Sequence, residues 1–145
     1  MKIWFDMDGT IADLYGVENW LDMLHASDPT PYLIAKPLLN LSILARLLNK
    51  AQENGYEIGI ISWTARGGSR EYNEAVAEAK RKWLATHLKS VRFDSIRIIE
   101  YGIPKENFME NFCDILFDDE EKNRKNWGWV AYEETEILRV LKSLI

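Results

Sequence analysis

The chain has 145 residues and a mass of 16.9 kDa, enough for one domain with a sizeable core. Its net charge of −5 argues against non-specific nucleic-acid binding, because phosphate contacts need clustered Lys and Arg, and no apolar run is long enough to cross a membrane. The chain begins directly with a predicted strand, leaving no room for a signal peptide, and its single cysteine, Cys113, excludes an intrachain disulfide, so we expect a cytoplasmic protein.

The first predicted strand ends in a pair of carboxylates. Hydrophobic residues lead directly into Asp6-Met7-Asp8-Gly9-Thr10. This pattern is typical of a buried strand that delivers carboxylates to the open end of a sheet, and Gly9 lets the backbone turn away sharply. Two carboxylates crowded there repel each other unless a cation lies between them, which predicts a hard, oxygen-binding ion such as Mg²⁺. Taken alone, the segment is better explained as a strand that runs into an acidic turn.

Segments with strand character alternate with segments of helical period along the rest of the chain. The predicted strands are residues 2–5, 57–61, 96–99, 115–117 and 129–132. The predicted helices are residues 43–51, which end at Asn54-Gly55, residues 72–84 with Ser69 as N-cap, and residues 137–144 with Thr135 as cap. The alternation predicts an α/β fold with a mostly parallel sheet. The basic run Lys80-Arg81-Lys82 lies on the second helix, and we interpret it as the solvated face of that helix.

One connection is too long for this alternation. Residues 11–41 contain a short amphipathic stretch around Trp20 and three prolines, Pro29, Pro31 and Pro37. Connections between a strand and the following helix usually have only ~2–6 residues, and much longer ones are often lids or binding loops. We therefore interpret residues 14–40 as a small cap inserted over the open end of a single domain, 1–145. A helical hairpin packed on the sheet is the alternative.

The ends of the predicted strands bring together groups with a common chemistry. In a parallel sheet, the carboxyl ends of the strands converge on one crevice. Strand 57–61 runs into Ser62-Trp63-Thr64, and strand 115–117 is preceded by Lys105 and followed by Asp118-Asp119. Carboxylates can hold a cation, whereas a hydroxyl and an ammonium group can bind phosphate oxygens. Each group alone has an ordinary structural explanation, but four in this order predict a site for a metal and a phosphate.

These segments carry a resemblance to a known family over essentially the whole chain. The sequence resembles the haloacid dehalogenase (HAD) superfamily: the run from Asp6 to Thr10 matches its first motif, Ser62 its second, Lys105 its third and Asp118-Asp119 its fourth. The resemblance implies a Rossmann-like sheet with a small helical cap of the C1 type, a Mg²⁺ cofactor, and phosphoryl transfer through an aspartyl-phosphate. The segment 115–119 with Asn123 is similar to the 5'(3')-deoxyribonucleotidase branch, although Ser62-Trp63-Thr64 departs from the Thr-Ser-Pro of that branch.

The resemblance also implies a catalytic role for each motif. Asp6 would attack phosphorus and form a covalent intermediate, and Asp8 would protonate the leaving oxygen and then activate water. Ser62 and Lys105 would bind phosphoryl oxygens, and Lys105 would also offset the charge of Asp6. The further predicted substrate contacts are Gly9, Thr10, Trp63 and Thr64.

The metal ligands follow from the same resemblance. Mg²⁺ would be held by Asp6, by the backbone carbonyl of Asp8 and by Asp118, and would neutralise charge on the transferring group. Asp119 would assist through water or by orienting a neighbour.

The expected substrate is a small phosphorylated molecule, and a nucleoside monophosphate is preferred. Aromatic side chains suit a flat base, and the region around the predicted site carries four of them: Tyr15, Trp20, Tyr32 and Trp63. A nucleic-acid 3'-phosphatase and another small-molecule phosphatase of the superfamily are the alternatives among enzymes. A receiver-type signalling domain is disfavoured because Asp118-Asp119 comes after Lys105. A non-catalytic phosphate-binding module is disfavoured because both Asp6 and Asp8 are present.

Overall fold

The computed structural model describes all residues, 1–145, and contains a five-stranded parallel sheet. In chain order the strands are β1 (Lys2–Phe5), β2 (Ala12–Asp13), β3 (Lys36–Pro37), β4 (Glu57–Trp63), β5 (Ser95–Ile99), β6 (Ile115–Phe117) and β7 (Ala131–Tyr132). The order in the large sheet is β5-β4-β1-β6-β7, with every neighbouring pair parallel. The chain runs from β1 outward to β4 and β5 and then returns to β6 on the other side of β1. This reversal opens a crevice at the carboxyl ends of β1 and β6, where the acidic motifs begin.

Six helices flank or cover the sheet, and three of them correspond to the helices that the sequence predicts. The helices are α1 (Trp20–His25), α2 (Thr30–Ile34), α3 (Leu41–Glu53), α4 (Arg70–His87), α5 (Glu121–Trp127) and α6 (Ile137–Leu144). The Ser69 hydroxyl accepts a 3.1 Å hydrogen bond from the Tyr72 N–H and caps α4, and α3 ends before Gly55, whose φ is +94°. The prediction for Thr135 is wrong: it lies in a 3₁₀ turn, Glu134–Glu136, and its hydroxyl donates to Glu133 instead of capping α6.

The two faces of the central strand pack into separate apolar clusters. Ile3 and Phe5 point into the larger cluster, which α3, α4 and α6 complete, whereas Trp4 points to the other face and packs with Leu116 and Trp127. Burial on both faces explains why Ile3, Trp4 and Phe5 are all apolar, without alternation. It also fixes the direction in which the following carboxylates leave the sheet. None of the helices is both long and apolar enough to span a lipid bilayer.

Residues 14–40, hereafter the insertion, form two short helices and the strand β3, which pairs with β2 in a two-stranded antiparallel sheet. Helix α2 packs on α4, with Tyr32 buried against Tyr72. Two long-range hydrogen bonds add to this contact: the Trp83 indole N–H donates to the Ala35 carbonyl at 2.7 Å, and the Tyr72 hydroxyl donates to the Asp28 carbonyl at 3.0 Å. The insertion is therefore anchored to one of the core helices.

Candidate active site

The four predicted motifs meet at the carboxyl edge of the large sheet. Asp6 follows β1, Ser62 lies near the end of β4, and Asp118 follows β6. Lys105 begins a 3₁₀ turn, Lys105–Phe108, beyond β5. All four side chains are buried, although each is polar or charged. Buried polar groups need partners, and in this site they are one another's partners.

Lys105 bridges the first and fourth motifs. Its ammonium nitrogen lies 3.0 Å from Asp6 Oδ1 and 2.7 Å from Asp118 Oδ2. Burial opposes the charge of Lys105, but Asp6 and Asp118 outweigh it and raise the pKa of Lys105 above its ordinary value. Burial alone would likewise raise the pKa of Asp6, but Lys105 and then Lys80 hold the pKa of Asp6 below its usual value. Asp6 therefore presents an ionised carboxylate at the centre of the crevice.

Lys80 is a second buried lysine in the site, and the sequence interpretation of this residue is wrong. Its side chain is only 1% exposed, and its ammonium nitrogen lies 2.8 Å from Asp8 Oδ2, 2.8 Å from Ser62 Oγ and 2.6 Å from the Trp63 carbonyl oxygen. It therefore contacts the first motif and the second motif at once.

The position of Lys80 on α4 carried a signal that sequence reasoning missed. Lys80 comes four residues after Val76 and three before Trp83, and both of these side chains are fully buried. It thus lies within the apolar stripe of the helix, where an unpaired lysine is strongly disfavoured. Its neighbours Arg81 and Lys82 are exposed as expected. A lysine in an apolar stripe indicates a buried acidic partner, and that partner is Asp8.

The pKa values of the two carboxyl groups of the first motif are shifted in opposite directions. Burial raises the pKa of Asp8 above its ordinary value, and the charge of Asp6 adds to this, although Lys80 opposes both. Asp6 is held ionised, as described above. Two carboxyl groups whose pKa values are pushed apart suit one nucleophile and one proton donor.

Three carboxylates form a group that fits a hard cation. Oxygens of Asp6, Asp118 and Asp119 all lie within 4.8 Å of one another. Burial and then the charge of Asp6 raise the pKa of Asp118 to about 6 and that of Asp119 to about 8. Lys105 is the single ammonium that contacts this group, so a divalent ion with a preference for oxygen ligands would relieve the remaining repulsion. The carboxylate of Asp8 lies outside the group and is bonded to Lys80.

Thr10 and Gly9 shape the acidic group from the turn after β1. The Thr10 hydroxyl lies 3.3 Å from Asp6 Oδ2 and 3.2 Å from Asp119 Oδ1, and it accepts a 3.2 Å hydrogen bond from the Asp119 N–H. Thr10 is almost fully buried, and its hydroxyl forms hydrogen bonds with the carboxylates of Asp6 and Asp119. Gly9 has a φ of +78°, in the region that favours glycine.

A cavity of about 320 Å³ opens over Asp6 and Asp8. Two aromatic pairs line it: Tyr15 with Trp20 from the insertion, at a ring distance of 5.1 Å, and Trp63 with Tyr101 from the sheet edge, at 4.9 Å. The other lining residues are Leu14, Leu21, Leu24, His25, Tyr32, Thr64, Ala65, Arg66, Lys105, Glu120 and Asn123.

The predicted substrate contacts divide into two groups around this cavity. Trp63 and Thr64 line it, and the buried Thr64 hydroxyl oxygen has no hydrogen-bond partner within the chain. Gly9, Thr10 and Ser62 lie behind the carboxylates and do not line it. The Ser62 hydroxyl is engaged by Asp6 Oδ1 at 3.1 Å as well as by Lys80.

Comparison with known proteins supports this fold. No protein-family model matches the chain, and no curated protein matches it either. The fold is similar to the crystal structure of D,D-heptose 1,7-bisphosphate phosphatase from Burkholderia thailandensis, with a TM-score of 0.61 and 9% identity over 98% of this chain and 96% of that one. It is also similar to a structure of the Pnkp1/Rnl/Hen1 complex, with a TM-score of 0.52 and 20% identity over 92% of this chain and 46% of that one. The predicted α/β fold with a mostly parallel sheet is thereby confirmed, whereas the superfamily and its deoxyribonucleotidase branch stay predictions.

Proposed function

We propose that this protein is a Mg²⁺-dependent phosphomonoester hydrolase that works through an aspartyl-phosphate. The observation that carries the proposal is the Asp6–Lys105–Asp118 bridge at the floor of a cavity, with Asp8 beside it. A buried ionised carboxylate, an ammonium group and an acidic cluster are what phosphoryl transfer requires, because catalysis of this reaction is mostly positioning and charge stabilisation. The similarity of the fold to a phosphatase structure agrees with this chemistry.

Each step is assigned to a residue of the chain. Asp6 attacks phosphorus and forms the aspartyl-phosphate as the bond to the leaving oxygen breaks. Asp8 gives its proton to that oxygen and then takes a proton from the water that hydrolyses the intermediate. Lys105 neutralises charge on the transferring group and on Asp6. Thr64 is assigned the binding of a phosphoryl oxygen, because the residue lines the cavity and its buried hydroxyl has no partner within the chain, whereas Ser62 is already bonded to Asp6 and Lys80.

The acidic group is the proposed Mg²⁺ site. Asp6 and Asp118 would hold the ion together with the backbone carbonyl of Asp8, and Asp119 would act directly or through water. When bound, the ion would supply positive charge against the transferring phosphoryl group.

The cavity supports a nucleoside monophosphate as the substrate. Its volume of about 320 Å³ lies near the lower end of small-molecule sites, which span roughly 300–1,000 Å³. Nine of its 17 lining residues are hydrophobic, and two aromatic pairs are among them. Flat aromatic faces suit a base, whereas a sugar phosphate calls for more polar side chains.

The decisive experiment measures phosphate release from a panel of phosphomonoesters with Mg²⁺ and with a chelator. The panel holds nucleoside monophosphates, sugar phosphates and an oligonucleotide with a 3'-phosphate. We expect Mg²⁺-dependent release, fastest from a nucleoside monophosphate. Equal turnover of sugar phosphates would overturn the nucleotide assignment alone, and preference for the oligonucleotide would make the protein a nucleic-acid 3'-phosphatase. Chelator-insensitive release, or no release at all, would overturn the proposed function.

A further inference from the structure

Lys80 is a buried charge within the site that no step of the proposed mechanism uses. It projects from α4, whose neighbouring buried positions are filled by apolar side chains such as Val76 and Trp83. A leucine or methionine would satisfy packing there without the cost of burying an ammonium group. The presence of a lysine therefore calls for an explanation in terms of what its charge and its protons do.

The hydrogen bonds of Lys80 account for all of its protons. An ammonium group has three N–H donors, and three acceptor oxygens lie within 2.8 Å of the Lys80 nitrogen: Asp8 Oδ2, Ser62 Oγ and the Trp63 carbonyl oxygen. No donor is left for a substrate, and Lys80 is absent from the residues that line the cavity. Lys80 therefore acts on other residues of the site and does not bind the phosphate.

Its contacts orient both carboxylates of the first motif. The bond to Asp8 Oδ2 occupies one carboxyl oxygen, and Oδ1 accepts no bond from the chain. The bond to Ser62 Oγ uses a lone pair of the hydroxyl, whose own proton then points to Asp6 Oδ1 at 3.1 Å. One ammonium group thus holds Asp8 directly and Asp6 through Ser62.

We propose that Lys80 is a positioning residue that holds the Asp8 carboxyl group in the orientation needed to protonate the leaving oxygen. This inference rests on the proposed function. The proton passes from Asp8 to the leaving oxygen as the phosphorus–oxygen bond breaks, and Lys80 keeps its three protons throughout.

The test compares Lys80→Met with Lys82→Met on two phosphomonoesters that differ in their need for an acid. Lys82 lies on the same helix, is exposed, and pairs only with Glu78, so it is a matched control. An alkyl phosphate needs its leaving oxygen protonated, whereas p-nitrophenyl phosphate does not. Because kcat/KM reports the step in which the leaving group departs, we expect Lys80→Met to lose ~10²-fold on the alkyl ester and less than ~10-fold on p-nitrophenyl phosphate. Lys82→Met should match wild type on both.

A second measurement reports the contact itself, without activity. Thermal melts of the metal-free protein should show that Lys80→Met lowers Tm and that Asp8→Asn, added to it, recovers part of the loss, because the double variant no longer buries an unpaired carboxylate. If Lys80→Met does not fold, Lys80→Gln, whose amide still donates hydrogen bonds, is judged by the same comparison of substrates. Equal losses on both substrates, or strictly additive Tm changes, would overturn the inference while leaving the proposed function intact. A wild-type protein that hydrolyses neither these two esters nor any member of the phosphomonoester panel would overturn both.

Discussion

Gly9 lies directly against Asp119: a Cβ carbon on residue 9 would be 2.4 Å from Asp119 Oδ2. The same residue has a φ of +78°, so glycine is required here both by the turn of the backbone and by the close approach of the carboxylate. The turn that ends the first motif is thereby packed against the fourth motif, 110 residues further along the chain.

Gly9→Ala should therefore lose stability and activity together. The left-handed backbone alone costs a residue other than glycine about 1–3 kcal/mol, and the new methyl group must also displace Asp119. Gly55→Ala is the matched control, because Gly55 has a φ of +94° but nothing within 4 Å of its added Cβ. Urea unfolding and phosphate release measure the two effects. A Gly9→Ala protein with the stability loss of Gly55→Ala and full activity would contradict the role of this contact.

Asp6→Asn should abolish phosphatase activity while the fold survives. The amide cannot attack phosphorus, so we expect kcat to fall by roughly 10³-fold or more. Lys105 keeps its 2.7 Å bond to Asp118, which preserves the floor of the site. Acid quenching with a ³²P-labelled substrate should trap label on the wild type and none on the variant. Asp22→Asn, on the exposed face of α1, removes the same charge and should retain both activity and label; label on Asp6→Asn would place the covalent intermediate elsewhere.

Lys105→Met should destabilise the metal-free protein by about 3–5 kcal/mol, because it leaves Asp6 and Asp118 without their shared buried cation. Chemical unfolding in the presence of a chelator measures this change. Addition of Asp118→Asn to Lys105→Met should recover part of the loss, since one of the uncompensated charges disappears. Full stability of Lys105→Met would mean that Lys105 is not the group that balances these carboxylates.

The stability of the metal-free protein should fall as the pH rises from about 5 to about 8. The pKa values of Asp118 and Asp119 in the folded chain are about 6 and about 8, against 3.8 in the unfolded chain. The folded state therefore binds more protons across this range, and the free energy of unfolding decreases as those protons leave.

Thermal melts at the two ends of this range, with a chelator or with Mg²⁺, test the prediction. Mg²⁺ should raise Tm more at pH 8 than at pH 5, because it replaces protons that have already left. Asp119→Asn should flatten the pH dependence, and this variant separates the carboxylates from the two histidines of the chain. A Tm that rises with pH in the chelator would refute the prediction.

Replacement of an aromatic side chain that lines the cavity should lower kcat/KM selectively for nucleotide substrates. Tyr15 and Tyr101 are each partly exposed at the cavity, so replacement by leucine should cost little stability. Loss of stacking on a base is worth ~1–3 kcal/mol, or roughly 5–150-fold in kcat/KM for a nucleoside monophosphate. A substrate without a ring, such as glycerol phosphate, should change little, and Trp129→Leu, at a fully exposed position away from the cavity, should change neither. Equal losses on both substrates would refute stacking.

Local patterns in the sequence predict most of the fold. The central strand is recognised because it is apolar on both faces, and Ser69 and Gly55 mark helix ends by their own capping chemistry. Prediction is weakest where tertiary contacts decide. Tryptophan is common in strands and the sequence predicts a strand over residues 129–132, yet β7 begins at Ala131 and the Trp129 indole is fully exposed.

The same division holds for the site. Motif order predicts that Asp6, Lys105 and Asp118 come together, because parallel strands share one functional edge. Lys80 escaped prediction because its neighbours in sequence are basic and exposed, while its partner Asp8 is 72 residues away. The sequence also does not distinguish Thr64 from Ser62, because both come at the end of the same predicted strand. Only the contacts show that the Thr64 hydroxyl has no partner and that the Ser62 hydroxyl is bonded to Asp6.

The anchoring of the insertion has a consequence for engineering. Helix α2 is tied to α4, the helix that carries Lys80, so substitutions that shift α2 would also disturb Asp8. Helix α1 has no buried residue, yet Trp20, Leu21, Leu24 and His25 all line the cavity. For the proposed phosphatase, the substrate range is therefore best altered by randomising α1, because substitutions there least disturb the geometry of the proposed catalytic residues and the stability of the fold.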